Sequence, residues 1–218
     1  MKIKHYIALG VLAALLTGFG IVADEVSEGE TLKFDNAILM ALRVPGDPAS
    51  PIGPSWLPEA ARDVTALGSF SVLTILVVGV AVFLTLVGNR RTALFLSVSV
   101  LGGTIVSTVL KMLFDRPRPD LTGVAKVFTA SFPSGHATIS AVVYLTLGAI
   151  LAEIAATRRL TIFFFFAAAF LTIIVGLSRI YLGVHFPTDV VAGWSIGSAW
   201  ALLCLLVFSA VRAKWNPS

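Results

Sequence analysis

The sequence predicts an all-α fold, a six-helix transmembrane bundle, from three observations: an apolar composition, a recurrence of spanning-length stretches, and loop charges that differ between the two sides. Of 218 residues, 57% are hydrophobic and only 13% charged, and the mean hydropathy of +0.93 is too high for a soluble domain. A spanning helix needs about 20 mostly apolar residues. Six such stretches occur, at about 6–22, 66–87, 93–110, 137–156, 160–177 and 190–211, so the chain reads as a single membrane domain over 1–218.

The first stretch follows Lys2 and Lys4 and ends in Ile-Val-Ala before Asp24, the layout of a signal peptide cut after Ala23. Its apolar region exceeds the ~7–15 residues of such a leader, so a retained anchor is expected. Counted alternately, the loops put Lys2, Lys4, Arg90, Arg91, Arg158, Arg159, Arg212 and Lys214 on one side with almost no acids, and that side is expected to be cytoplasmic. The opposite side carries the segment 24–63, with eight acidic residues against three basic ones. The net charge of +4 does not indicate nucleic acid, because the basic residues lie in pairs at loop positions and form no stripe. Cys204, the single cysteine, cannot form an intrachain disulfide.

Within the outer segment, Thr31 to Arg43 reads as an interfacial helix, with Leu32, Phe34, Ile38 and Leu42 mostly on one face and Lys33, Asp35 and Arg43 elsewhere. A proline-rich connector follows it. Asp24, Glu25, Glu28 and Glu30 read as a solvated acidic loop and not as metal ligands, having no histidine nearby. Gly193 and Gly197 have the Gly-x-x-x-Gly spacing of closely approaching helices, and packing within the chain is expected.

Three segments within 111–189 carry the chemistry: Lys111 through Arg118-Pro119, Pro133-Ser134-Gly135-His136, and Ser178-Arg179 followed by His185 and Asp189. All fall at helix ends on the outer side, so groups up to 78 positions apart can meet in one pocket. Charge clustered beside apolar helices needs an ionic partner, and three cations call for an anion. Lys111, Arg118 and Arg179 suit phosphate oxygens, two of them as guanidinium forks. The Pro-Ser-Gly turn adds backbone N–H groups at a helix N-terminus, where Gly135 permits close approach.

His185 and Asp189 are four apart where the sixth helix begins, so on a helix they share one face. The carboxylate can then take the proton of one ring nitrogen and leave the other as a nucleophile. His136, beside the phosphate cradle, can act as acid and then as base. His5 lies in the basic N-terminal tail and is expected to have no part.

The combined pattern Lys-x6-Arg-Pro, Pro-Ser-Gly-His and Ser-Arg-x5-His-x3-Asp resembles that of the type 2 phosphatidic acid phosphatases. They are the membrane branch of a superfamily shared with soluble bacterial acid phosphatases and vanadium haloperoxidases. Lys111, Arg118, Pro119, Ser134, Gly135, His136, Ser178, Arg179, His185 and Asp189 fill the pattern without a gap. The resemblance implies a two-step hydrolysis of a phosphate ester or anhydride through a phosphohistidine on His185, oriented by Asp189, with His136 as acid and base. Lys111, Arg118, Arg179, Ser134 and Gly135 would bind the phosphate. It implies no metal and no cofactor. The partners are membrane lipids and a lipid phosphate substrate: undecaprenyl pyrophosphate, phosphatidylglycerol phosphate, phosphatidic acid or a lipid A phosphate. The basic-inside, acidic-outside layout points to a bacterial inner membrane, with the site facing the periplasm or exterior. The alternative is a non-catalytic protein that binds or transports an anionic lipid and would not need the His185–Asp189 pair. The sequence leaves the oligomeric state open.

Overall fold

Apolar runs bounded by side-chain caps determine where the helices lie. In the computed structural model, which describes residues 2–121 and 129–215, the order is α1 (Lys2–Glu28), α2 (Leu32–Ala41), β1 (Arg43–Val44), β2 (Asp47–Pro51), α3 (Leu57–Ala66), α4 (Phe70–Leu86), α5 (Arg90–Phe114), α6 (Gly135–Ile154), α7 (Arg158–Tyr181) and α8 (Pro187–Trp215). Three side chains used in the loop-charge count, those of Lys2, Lys4 and Lys214, lie outside the described set. Ser69, Asn89, Ser134 and Thr157 each accept a backbone N–H from the first turn of the helix that follows, capping α4 to α7.

Helices α1, α5, α6, α7 and α8 are long and apolar enough to cross a membrane, and a sixth segment of that length and apolarity is broken. It consists of α3 and α4, bent by 43° at a short break. Gly68 at the break packs closely against α6 and α7: a Cβ there would strike the Val175 side chain and come within 3.4 Å of His136 Cδ2. The Tyr144 hydroxyl fixes it by donating to the Leu67 carbonyl at 2.7 Å.

The outer segment is more ordered than its sequence suggests. Helix α1 runs through Asp24, Glu25 and Glu28, so these acids line a helix end instead of a loop. The antiparallel pair β1–β2 departs from a purely helical fold, and α3 occupies residues assigned from sequence to the connector. The amphipathic reading of 31–43 holds in part: Ile38 and Leu42 pack against the buried Leu39 cluster and Lys33 is exposed, but the other positions differ. Asp35 and Arg43 are buried, whereas Leu32 and Phe34 are 44% and 59% exposed. Ion pairing, described below, outweighs the apolar stripe.

Helix α6 is the axis of the bundle: 56% of its apolar window is buried, against 6% for α1. Small residues allow the close approach. On α8, a Cβ at Gly193 would lie 2.8 Å from the Ser134 carbonyl oxygen, and one at Gly197 would meet the Thr138 carbonyl and lie 2.9 Å from Ala141 Cβ. The glycine pair therefore packs α8 onto α6 within the chain. Two tryptophans of α8 use glycines on other helices in the same way. Trp200 rests over Gly102 and Gly103 of α5 and donates to the Ser99 carbonyl at 2.8 Å; Trp194 rests over Gly176 of α7 and donates to the Thr172 carbonyl at 3.0 Å.

Gly197→Leu is expected to lower thermal stability in detergent by the equivalent of about 1–3 kcal/mol, the usual cost of overpacking. Gly79→Leu, where a Cβ meets nothing within 4 Å, should be close to neutral. Equal melting temperatures for the two variants would contradict this packing.

Candidate active site

Four helix ends converge on one face: the C-termini of α5 and α7 and the N-termini of α6 and α8. They bring Lys111, His136, Arg179 and Asp189 together, with Arg118 and His185 supplied by the adjoining connections. Helix α5 ends at Asp115, whose left-handed backbone (φ 38°) releases the chain into the Arg116-Pro-Arg-Pro segment. Arg116 O then accepts from Ser131 N at 2.7 Å, which ties the far side of that loop back to the site.

Hydrogen-bond chemistry assigns the proton on His185. Arg118 Nη1 lies 3.1 Å from His185 Nε2, and a guanidinium can only donate, so Nε2 is the acceptor. The ring proton is therefore on Nδ1, which faces Asp189 Oδ2 at 3.4 Å and Ser131 Oγ at 3.3 Å. Asp189 Oδ2 also receives the Ser131 hydroxyl at 2.5 Å and the Phe186 amide at 2.9 Å. Burial pushes the His185 imidazole down to about 3; its hydrogen bond to Asp189 opposes that shift, and the Arg118 charge adds to it. The ring is neutral at ordinary pH.

The three cations sit around this pair. Arg118 spans from Thr129, through its carbonyl and hydroxyl, to the Val184 carbonyl, each at 3.0 Å. Lys111 Nζ donates to Ala130 O at 2.8 Å, and its Cε passes 3.3 Å from where a Gly135 Cβ would stand, so the glycine makes room for the lysine. Arg179 donates to Thr65 Oγ1 at 3.1 Å, while its buried Nε has no protein partner among the described residues. His136 is half-buried and within electrostatic reach of all three cations. Ser134 serves mainly as a fixture: its amide donates to the Asp189 carbonyl at 2.9 Å and its hydroxyl caps α6. The amides of Gly135 and His136 lie in the first turn of α6, where backbone N–H groups have no carbonyl partner within the helix. Ser178 is buried and bonds its own helix, donating to Val175 O at 2.7 Å.

Sequence reasoning missed Arg116 and Asp35. Arg116 donates to Asp189 Oδ1 and to Asp35 Oδ2, each at 2.7 Å, and to the hydroxyls of Thr188 and Thr31 at 2.9 and 3.1 Å. Its guanidinium carbon lies 4.3 Å from the Phe186 ring centroid. Arg116 is 7% exposed and both carboxylates are 0% exposed. One sequence signal was available, since Arg116-Pro117 duplicates Arg118-Pro119 two positions earlier. The Asp35 contact has no local signature.

The same residues fall inside a known family. A profile described as PAP2 superfamily matches residues 92–213, more than half of the chain. The chain belongs to the PAP2 superfamily. Phosphatidylglycerophosphatase B of Bacillus subtilis is 33% identical over 165 residues, covering 72% of this chain and 74% of that protein. A lipid A 1-phosphatase of Rhizobium johnstonii is 31% identical over 126 residues, covering 53% of this chain and 47% of its own. The fold agrees: the crystal structure of a transmembrane PAP2 type phosphatidylglycerolphosphate phosphatase from Bacillus subtilis superposes with a TM-score of 0.81 at 26% identity, over 94% of this chain and 98% of that one. This PAP2 protein is thus an integral membrane phosphoric ester hydrolase.

With a folded pKa of about 3 against ~6.5 when unfolded, His185 takes up a proton on unfolding between those values. Its contribution to stability is therefore lost as pH falls from about 6.5 toward 3. Nitrogen NMR of labelled histidine in detergent should show His185 as the neutral Nδ1–H tautomer from pH 8 down to 5. A His185 titration centred near 6.5 would contradict the buried, Asp189-paired arrangement.

Proposed function

We propose that this protein dephosphorylates a membrane lipid in two steps, with His185 as nucleophile. The observation that carries this is the His185 tautomer: Nδ1–H is directed at Asp189 and Ser131, leaving the Nε2 lone pair toward the cation cluster. In the first step Nε2 bonds to phosphorus and the bond to the leaving oxygen breaks, that oxygen taking a proton from His136. In the second, His136 removes a proton from water, the hydroxide attacks the phosphohistidine, and phosphate leaves as His185 recovers its lone pair.

Lys111, Arg118 and Arg179 would neutralise the nonbridging oxygens together with the Gly135 and His136 amides, where stabilising developing charge is usually the largest catalytic contribution. His185 is only 1% exposed because Arg118 covers Nε2. Phosphate arriving in the cluster would draw that guanidinium onto its own oxygens and uncover the nucleophile. Arg118 so couples binding to attack.

A site at four helix ends suits a phosphate at headgroup depth whose tail stays in the bilayer. Phosphatidylglycerol phosphate, phosphatidic acid, undecaprenyl pyrophosphate and a lipid A phosphate all satisfy that geometry. The relatives' names cover three of these classes, a phosphatidylglycerophosphatase, lipid A 1-phosphatases and an undecaprenyl-diphosphatase, and so do not rank them. The acidic outer segment lies on the site's face and the arginine pairs Arg90-Arg91 and Arg158-Arg159 on the other, which supports a bacterial inner membrane with the site facing outward.

Phosphate release in detergent micelles should be seen with wild type on at least one of phosphatidylglycerol phosphate, phosphatidic acid and undecaprenyl pyrophosphate. His185→Ala should lose at least about 10³-fold, as expected when a nucleophile is removed. Equal rates for the two proteins would overturn the nucleophile assignment.

A further inference from the structure

The outer helix α2 reaches into the site through one side chain. Asp35 is fully buried and saturated: Oδ2 accepts from Arg116 Nη2 and from the Thr188 hydroxyl, each at 2.7 Å, and Oδ1 accepts from the Thr188 amide at 3.0 Å. Arg116 passes the contact on, since its other nitrogen holds Asp189 Oδ1 at 2.7 Å. The chain of contacts runs Asp35, Arg116, Asp189, His185, with no exposed member.

Charge explains why a second carboxylate stands behind the first. As Nε2 of His185 bonds to phosphorus the ring becomes positive, and Asp189 stabilises that charge only to the extent that its own is not cancelled. Arg116 at 2.7 Å would cancel it. Asp35, equally close on the far side, offsets Arg116 and leaves the three groups with a net charge of −1. The two forks also fix the carboxylate: with Oδ1 tied to Arg116, Oδ2 is the oxygen left to Ser131, Phe186 and His185. Thr188 locks the arrangement to the start of α8, accepting from Arg116 and donating to Asp35.

We propose that Asp35, acting through Arg116, is a positioning residue for the His185–Asp189 pair, so that the outer segment is part of the catalytic apparatus and not a cover over it. The proposal rests on His185 being the nucleophile. Asp35 touches neither substrate nor the reacting atoms, so its loss should slow chemistry and leave binding intact.

The test measures kcat and KM for wild type, Asp35→Asn, Thr188→Val, Tyr181→Phe and His185→Ala on dioctanoyl phosphatidylglycerol phosphate in detergent, at equal amounts of monodisperse protein. Asp35→Asn keeps the shape and removes the charge; kcat should fall about tenfold or more, as when a group behind a functional ligand is removed, with KM within twofold. Tyr181→Phe deletes the 2.8 Å bond from the Tyr181 hydroxyl to the Ile52 carbonyl, which loosens the outer segment without touching the network, and should keep wild-type kcat. A wild-type kcat for Asp35→Asn, or an equal loss in Tyr181→Phe, overturns the proposal. If Asp35→Asn does not fold, Thr188→Val decides: a several-fold loss in kcat at constant KM supports the role, and a wild-type kcat removes it. If wild type leaves dioctanoyl phosphatidylglycerol phosphate intact, the same variants are compared on phosphatidic acid or undecaprenyl pyrophosphate, whichever wild type hydrolyses; His185→Ala as fast as wild type strikes the underlying nucleophile assignment instead.

Discussion

The arrangement of the site depends on how one buried carboxylate, Asp189, is satisfied. An ionised group at a membrane helix end is tolerated only when paired and hydrogen-bonded, and Asp189 has both oxygens engaged, by Arg116, Ser131, the Phe186 amide and His185. Its backbone carbonyl also accepts from Ser134 N, fixing the start of α6 against the start of α8. One residue therefore sets the tautomer of the proposed nucleophile, the position of the Ser134-Gly135 turn and the start of α6 against the start of α8. Buried ion pairs are weak evidence for stability; this one is better understood as specifying geometry.

That geometry needs helices that cannot slide. Glycines on α8 set its backbone against α6, and the indoles of Trp194 and Trp200 lock α8 to α7 and α5 through sockets at Gly176 and at Gly102-Gly103. The Trp bonds are made to helix carbonyls, Thr172 and Ser99, so each indole is at once a packing element and a donor. On the opposite side of the site, the bend at Gly68 brings Thr65 to Arg179 and the Leu67 carbonyl to Tyr144. Lys111 and Arg179 are thus borne on helix ends, and Arg118, on a connection, is held between Thr129 and the Val184 carbonyl.

Much of this was legible in the sequence, because membrane helices and phosphate motifs carry local signals. Hydropathy located the spans, and parity placed Lys111, His136, Arg179, His185 and Asp189 on one face. The helix ends were less legible. The acids at 24–28 read as loop although α1 continues through them, and α3 was hidden because Glu59, Arg62 and Asp63 end the apolar run before Ala66. Asp35 was misread for a physical reason: periodicity in 31–43 reports apolar residues, and the winning interaction is an ion pair with a residue 81 positions away. Ser134 was read from sequence as part of the phosphate cradle, and its capping of α6 and its amide bond to the Asp189 carbonyl carried no separate signal, since the same Ser-Gly turn serves both purposes.

The central claim is that phosphorus becomes bonded to His185, and it is tested most directly by trapping that bond. Wild type would be mixed with phosphatidylglycerol phosphate, quenched during turnover in alkali where phosphohistidine survives, digested and sequenced by mass spectrometry. The account predicts phosphate on His185 and on no other residue. Phosphate on a different side chain, or an unmodified His185 in protein that still releases product, would contradict it.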